Sequence, residues 1–241
     1  MTDALLSRIA HRPWALPQRP WQYYQEWNNA LFLHWAVPVG PLRGSIPSEL
    51  PLDTFDGRAY ISLVAFTMER IRPRRLPAVD HISCFEEINV RTYIDRDGKK
   101  GVYFLSIEAG KAFSAFVART LSSLPYQRSM ITREKGHINS KDRLGQKQLD
   151  VVFEVGDRIL EKTVLDRWLT ERYSLYYMDR GAPRRYEVHH DEWPLHQVEL
   201  RSMDLNYQLG GSVLDHHPDM VHYSPGVQVV SWGSQLCGGN G

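Results

Sequence analysis

Residues 87–107 read EINVRTYIDRDGKKGVYFLSI, and this stretch decides the fold class. From Ile88 to Ile94 apolar and polar side chains alternate, which is typical of a β-strand with two different faces. The Asp-Gly pair at 97–98 suits the positive backbone angles of a two-residue turn. Residues 102–107 are again rich in β-branched and aromatic side chains, so the stretch predicts a β-hairpin.

The same signals recur along the chain. Asp56-Gly57 separates residues 52–55 from the apolar run 60–66, which predicts a second hairpin. Residues 21–37 carry aromatic and apolar side chains too densely for a surface helix, and we expect one or two strands there. Residues 151–155 predict another strand. The chain is therefore expected to be mainly β.

Two helices are expected outside the sheet. From Ala109 to Leu121 the apolar side chains fall on one helical stripe, which indicates a helix packed on the sheet. Thr163, with Asp166 three positions later, has the pattern of a helix cap, and it predicts a helix from Val164 to Thr170.

No boundary between domains is visible in the sequence. It has no internal repeat, no low-complexity linker and no step in composition, so we expect a single domain over residues 1–241. Asp3 to Ala10 could form a short helix, but three prolines after it predict an extended N-terminal arm over 1–20. The Gly-rich residues 233–241 predict a flexible tail.

Charge and cysteine content exclude several classes of partner. The 29 basic and 28 acidic side chains nearly cancel, so we expect neither nucleic acid nor an anionic membrane as a partner. No apolar run is long enough for a membrane helix or a signal peptide. Cys84 and Cys237 form no disulfide framework, so a cytoplasmic location is expected. A small apolar or anionic organic molecule is the expected partner.

Several segments together resemble the YqjF-like family of uncharacterised proteins. They occur in the expected order from about Arg12 to Trp232. The segments are Arg12-Pro13-Trp14, Leu31-Phe32-Leu33-His34-Trp35, Leu52-Asp53-Thr54-Phe55-Asp56-Gly57, Glu87-Ile88-Asn89-Val90-Arg91-Thr92-Tyr93, Leu124-Pro125-Tyr126, Leu169-Thr170-Glu171-Arg172-Tyr173 and Trp193-Pro194-Leu195.

The resemblance places the chain in the acetoacetate-decarboxylase-like superfamily. It implies an α+β fold, with a curved, barrel-like antiparallel sheet around an apolar cavity and a few peripheral helices. In the decarboxylases a lysine after a helix forms a Schiff base with a keto acid. The corresponding stretch, residues 124–129, contains no lysine, and Arg128 cannot form an imine. Decarboxylation by that route is therefore not expected, and Tyr126 is expected near the former lysine position. Lys111 could reach the former lysine position, but a lysine at the start of a helix is more often a surface charge.

One polar face of the hairpin carries the candidate site. Glu87, Asn89, Arg91 and Tyr93 share a face because strand neighbours alternate. The resemblance places Glu87 where the decarboxylases have an active-site glutamate. In a barrel this row would supply an acid or base, a guanidinium for an anionic ligand and a hydroxyl. The alternative is a solvent-facing stripe with cross-strand ion pairs.

The histidines suggest one further ligand-binding candidate and no metal site. His34, between Leu33 and Trp35, could be a buried, hydrogen-bonded histidine or a base in the pocket. The pairs His189-His190 and His216-His217 point to opposite strand faces, so no metal site is expected. Gly-rich phosphate loops, dinucleotide fingerprints and serine-hydrolase elbows are missing, and we expect no cofactor.

Three hypotheses of function remain open. The first is a small-molecule-binding barrel whose apolar, aromatic cavity uses Glu87, Asn89, Arg91, Tyr93, Tyr126 and His34. The second is a lysine-independent enzyme for small carbonyl or phenolic compounds, with Glu87 as acid or base. The third is an interaction module that forms a homo-oligomer or binds another protein through aromatic strand edges.

Overall fold

The computed structural model describes residues 2–78, 83–110, 124, 126–209 and 213–238. Within these ranges the strands belong to one 13-stranded sheet, as expected for a mainly β chain. The strands are β1 (Tyr23–Val37), β2 (Ala59–Pro73), β3 (Phe85–Arg96), β4 (Lys99–Ala109), β5 (Tyr126–Glu134), β6 (His137–Asp142), β7 (Lys147–Arg158), β8 (Ser174–Asp179), β9 (Ala182–His189), β10 (His196–Gln208), β11 (Val213–Leu214), β12 (Met220–Ser231) and β13 (Gln235–Leu236). The helices are α1 (Thr2–Ser7), α2 (Val39–Arg43) and α3 (Val164–Thr170).

The sheet closes on itself twice. Strands β4, β3, β2, β1, β12, β9 and β8 are neighbours in that order, and β8 also pairs in parallel with β4. We call this closed set the small ring. The second closure runs from β4 through β5, β6 and β7 to β10, which bridges to β12 at His196. With β1, β2 and β3 these strands form the large ring.

Strands β1, β2 and β3 belong to both rings, so both of their faces are covered. Ile88 and Val90 of β3 lie in the largest apolar cluster with Leu33 and Leu63, on the side of the large ring. Glu87 to Ile94 are all buried, polar residues included. The polar face of β3 therefore points into the small ring and not into solvent.

Both predicted turns are confirmed, but residues 52–55 form no strand against residues 60–66, because β2 pairs with β1 and β3 and Leu52 bridges to Ile94. Asp97 and Gly98 have φ of 58° and 70° and join β3 to β4 in antiparallel register. Asp56 and Gly57 have φ of 47° and 76° between the bridged residues Phe55 and Arg58. Both residues of each turn have positive φ, which is the conformation that Asp-Gly tolerates at low cost.

The predicted second helix is confirmed, and its cap is complete. α3 begins after Thr163, whose Oγ1 accepts from the Asp166 backbone N–H while Asp166 Oδ2 accepts from the Thr163 N–H. The helix predicted from Ala109 to Leu121 lies outside the described residues beyond Gly110, and Ala109 itself ends β4. None of the described helices has the length and apolarity to cross a bilayer.

Both chain ends are tied down more firmly than expected. After α1 the N-terminal arm follows the outside of β9, where Arg12 Nη1 donates to the Val188 carbonyl at 2.6 Å. Within the tail that was predicted to be flexible, Gln235 and Leu236 pair with Arg185 and Arg184 as β13, and the flexibility of the tail stays a prediction. Backbone pairing to an open strand edge stabilises this segment in spite of its glycines.

Candidate functional site

The small ring encloses the candidate site. A cavity of about 110 Å³ lies inside it, and every strand of the small ring contributes to its wall. One water requires roughly 10–15 Å³, so the cavity is large enough for a small organic molecule. Apolar and aromatic side chains form most of the wall: Tyr23, Trp27, Val64, Phe66, Met68, Ile71, Val102, Phe104, Leu124, Leu175, Tyr186, Val188 and Trp193.

Glu87 and Tyr126 form a buried polar pair in this wall. The register Asn89–Ile107 and Ile107–Tyr126 places Tyr126 two strands away from β3, beside Glu87. Tyr126 Oη donates to Glu87 Oε2 at 3.0 Å, and Asn89 Nδ2 donates to Glu87 Oε1 at 3.2 Å. Burial raises the pKa of Glu87 to about 7, although both hydrogen bonds oppose the rise. The carboxyl can therefore give or take a proton near neutral pH.

Arg91 is a buried cation in the same wall, two residues after Asn89. It is 9% exposed, and its guanidinium lies 5.7 Å from the centroid of the Phe32 ring. Its Nε and Nη2 have no hydrogen-bond partner, and no carboxylate forms an ion pair with it, within the described part of the chain. Burial lowers the pKa of Arg91, but a guanidinium remains protonated at neutral pH.

Arg172 is a second guanidinium at the cavity, and sequence reasoning gave it no role. Its Nη1 donates to Asp53 Oδ2 at 2.7 Å, and its Nε donates to the Trp168 carbonyl at 2.6 Å. It also lies 4.7 Å from the centroid of the Tyr93 ring. Its Nη2 is buried without a partner in the described ranges. The only sequence signal was its place in the segment Leu169 to Tyr173, directly after a predicted helix.

His34 and Tyr93 are buried but do not line the cavity. His34 Nδ1 lies 2.6 Å from Ser62 Oγ, which lies 2.5 Å from Tyr93 Oη. On its other side His34 Nε2 lies 3.3 Å from His222 Nδ1, and His222 Nε2 lies 3.0 Å from Asp166 Oδ1. This chain of hydrogen bonds connects α3 to the sheet. Burial lowers the pKa of His34 well below its usual value, so the ring is neutral.

The structure thus brings four of the six predicted ligand-binding residues to one cavity: Glu87, Asn89, Arg91 and Tyr126. Contact of any of the six with a ligand stays a prediction. Sequence reasoning expected an aromatic cavity but did not name the residues of its wall, in which Trp27 and Trp193 stack at 6.0 Å between ring centroids. Trp27 belongs to β1, and Trp193 lies in a predicted family segment without an assigned role.

Two chemical groups are missing from the described wall. No lysine occurs among the described lining residues, and Lys111 lies outside the described residues. Over the same ranges, no three His, Cys, Asp or Glu side chains lie close enough together to hold a metal ion. The described wall therefore offers carboxyl, amide, phenol and guanidinium groups.

Comparison with known proteins identifies relatives in sequence and in fold. The model of DUF2071, described as an uncharacterized conserved protein, matches residues 24–228. The uncharacterized protein YqjF of Bacillus subtilis (strain 168) is 33% identical over 237 residues, which cover 95% of this chain and 98% of YqjF.

Solved structures with the same fold have much lower sequence identity. The enduracididine biosynthesis enzyme MppR, complexed with pyruvate, has a TM-score of 0.59 at 11% identity and covers 93% of each chain. An acetoacetate decarboxylase has a TM-score of 0.58 at 13% identity and covers 98% of each chain. At such identities the similarity shows the fold alone. The expected acetoacetate-decarboxylase-like fold is confirmed.

Proposed function

This chain belongs to the DUF2071 family and has the acetoacetate-decarboxylase-like fold, and we propose that it binds a small organic anion inside the small ring. The anionic group is held by Arg91. The apolar part of the ligand packs against the aromatic wall. Imine chemistry is not part of this proposal, because the wall residues described contain no lysine.

The observation that supports this proposal is that the Arg91 guanidinium has no carboxylate partner among the described residues and leaves its Nε and Nη2 without a hydrogen bond. Removing a charge from water costs several kcal/mol unless a partner of opposite charge compensates. Arg91 is buried with two N–H groups free and with no carboxylate paired to it in the ranges described. A carboxylate ligand would supply both the charge and the hydrogen-bond acceptors. Arg172 Nη2, also without a partner in the described ranges, is a further donor at the same cavity, while Asp53 compensates the charge of this guanidinium.

Replacing Arg91 with methionine tests the anion site. We expect the Arg91→Met variant to bind phenylacetate on the order of 10- to 100-fold more weakly, because a charge-assisted hydrogen bond contributes about 1.5–3 kcal/mol. Without ligand, the same variant should have a free energy of unfolding that is higher by about 1–3 kcal/mol, since the substitution removes an uncompensated buried charge. It should therefore unfold at a higher temperature. Calorimetric titration and thermal unfolding measure the two effects.

Two controls accompany this test. Phenylacetamide has the same shape as phenylacetate without its charge, and wild-type protein should bind it weakly. Arg201→Met removes a half-exposed guanidinium on β10 and should change neither affinity nor stability by much. If wild-type protein binds neither phenylacetate nor benzoate nor hexanoate, or binds acids and amides equally, the proposed function is wrong.

A lysine-independent enzyme is the second candidate function, and the pKa of Glu87 favours it. A carboxyl with a pKa of about 7 can act as general acid or base at the pH of a cell. In a turnover screen of small carbonyl and phenolic acids, we expect the rate to change with pH in a limb that is centred near pH 7. Glu87→Gln should remove that limb. A limb retained by the variant, or no turnover of any compound, would exclude Glu87 as the catalytic acid or base.

Two other expectations remain proposals. A cytoplasmic location is consistent with Cys84 and Cys237, neither of which is in a disulfide. Assembly into a homo-oligomer, or binding of another protein, stays the third hypothesis of function.

A further inference from the structure

One polar group in the cavity is not used by the anion site. Asn89 is 4% exposed, and its Nδ2 donates to Glu87 Oε1 at 3.2 Å. Its Oδ1 has no hydrogen-bond partner in the residues that the structure describes. Asn89 and Arg91 are two positions apart on β3, so their side chains lie on the same face and reach the same cavity.

The orientation of the Asn89 amide follows from its partner. Above its pKa of about 7 the Glu87 carboxyl is ionised and can only accept hydrogen bonds, so at pH 8 the amide turns its NH₂ toward Glu87. The carbonyl Oδ1 is then an acceptor in the cavity wall. A buried acceptor without a partner is unfavourable, and its complement is an O–H or N–H donor. The anion site and the acceptor site therefore require opposite groups on one ligand.

We propose that the ligand is a single-ring hydroxyaryl carboxylate, whose carboxylate binds Arg91 and whose hydroxyl donates to Asn89 Oδ1. This inference rests on the proposed function, since it assumes that Arg91 holds the anionic group. It adds to that function the chemical class of the ligand and the orientation of the ligand along β3. The carboxylate lies at the Arg91 end and the hydroxyl at the Asn89–Glu87 end.

The dimensions of the site suit one aromatic ring. Residues two apart on a strand are separated by roughly 6–7 Å, which is comparable with the span of a benzene ring and its two para substituents. In volume one ring is the upper limit: an apolar cavity of roughly 150 Å³ takes up benzene, and this cavity measures about 110 Å³, so a substituted ring enters only when side chains of the wall move. Larger polycyclic ligands do not fit this volume.

The residues of the cavity wall favour a ligand with an aromatic ring over an aliphatic ligand. Trp27 and Trp193 stack with each other, and Phe66, Phe104 and Tyr186 complete an aromatic lining. Aromatic rings gain from offset or edge-to-face contacts with other rings, in addition to the area that they bury. A hydroxyl is favoured over an ammonium group as the donor, because Arg91 and Arg172 already supply two cations at this cavity.

A matched series of three acids tests this inference by calorimetric titration. Wild-type protein should bind 4-hydroxyphenylacetate about 10-fold more tightly than phenylacetate or 4-methoxyphenylacetate, since only the first can donate to Asn89. Asn89→Ala should lose this preference, so that the variant binds the three acids with equal affinity. Asn139→Ala is the control, because that amide lies on β6, outside the cavity, and bonds to Asp150.

Each outcome decides between the two proposals. Equal affinity of wild-type protein for the three acids would overturn the ligand class and leave the anion site intact. Failure to bind any of them would overturn the anion site and this inference together. A preference for the hydroxyl that survives in Asn89→Ala would show that Asn89 does not receive it. The wild-type series decides the ligand class even if the variant does not fold.

Discussion

Glu187→Ala is expected to lower the free energy of unfolding by about 3–5 kcal/mol, the range for removing one partner of a buried ion pair. Glu187 lies on β9 and faces away from the cavity, and its side chain is 1% exposed. The substitution leaves Arg12, which is fully buried, without a counter-charge. The expected result is a protein that is marginally folded at best.

The loss is large because Glu187 joins several segments of the chain. Its Oε2 accepts from Arg12 Nη2 and from Trp14 Nε1, both at 2.9 Å. Its Oε1 accepts from Lys99 Nζ at 2.8 Å and lies 3.3 Å from Arg185 Nη2. These bonds attach the N-terminal arm and the start of β4 to the outside of β9. They also give the segment Arg12-Pro13-Trp14 a structural role as an anchor of the arm.

Chemical denaturation of matched variants measures this effect. Glu154→Ala is the control, because Glu154 also pairs with an arginine on a strand but is 64% exposed, and it should change stability by less than about 0.5 kcal/mol. Glu187→Gln keeps the shape and should fall between the two. A Glu187→Ala protein as stable as Glu154→Ala would show that the buried network does not hold the arm.

Glu87→Gln is expected to change how stability depends on pH, by about 3 kcal/mol between pH 4 and pH 8. Burial raises the pKa of Glu87 from 4.5 to about 7, and each pKa unit corresponds to roughly 1.4 kcal/mol. In that interval the folded protein holds a proton that the unfolded chain has released. The free energy of unfolding therefore falls as the pH rises from about 4.5 to about 7.

The variant lacks this dependence because an amide does not titrate in that range. Glutamine keeps the acceptor for Tyr126, and the Asn89 amide can turn its free carbonyl toward the new NH₂. Unfolding free energies of both proteins are measured at several pH values, and their difference isolates Glu87 from all other groups. Parallel curves would mean that folding does not raise the pKa of Glu87 and that its burial is compensated.

The strands, their turns and α3 could be predicted because their signals are local. Asp56-Gly57 and Asp97-Gly98 adopt the positive φ that their residue types allow, and Thr163 with Asp166 caps the helix that follows. Such preferences depend on neighbours a few positions away, so they are visible in the sequence. The tail was judged by its glycines alone, and its pairing with β9 depends on a distant strand.

For the candidate site, the sequence predicted which side chains share a face but not whether that face is buried. Alternation along β3 placed Glu87, Asn89 and Arg91 on one face, which follows from strand geometry alone. Alternation does not say what covers that face, because an exposed face and a cavity wall can carry the same side chains. Arg172 comes to the cavity through the contacts of its segment with Asp53 and Trp168. The residues next to Arg172 in the sequence do not indicate that its side chain reaches the cavity.

The sequence by itself therefore determined a mainly β chain, its hairpin turns, the capped helix and the composition of the polar row on β3. The tertiary structure alone decided that this row is buried, because β8 returns to pair with β4 and closes the small ring. It also decided that Arg91 has no carboxylate partner among the described residues, while Arg172 pairs with Asp53. These properties arise from contacts between segments far apart along the chain, which local preferences do not specify.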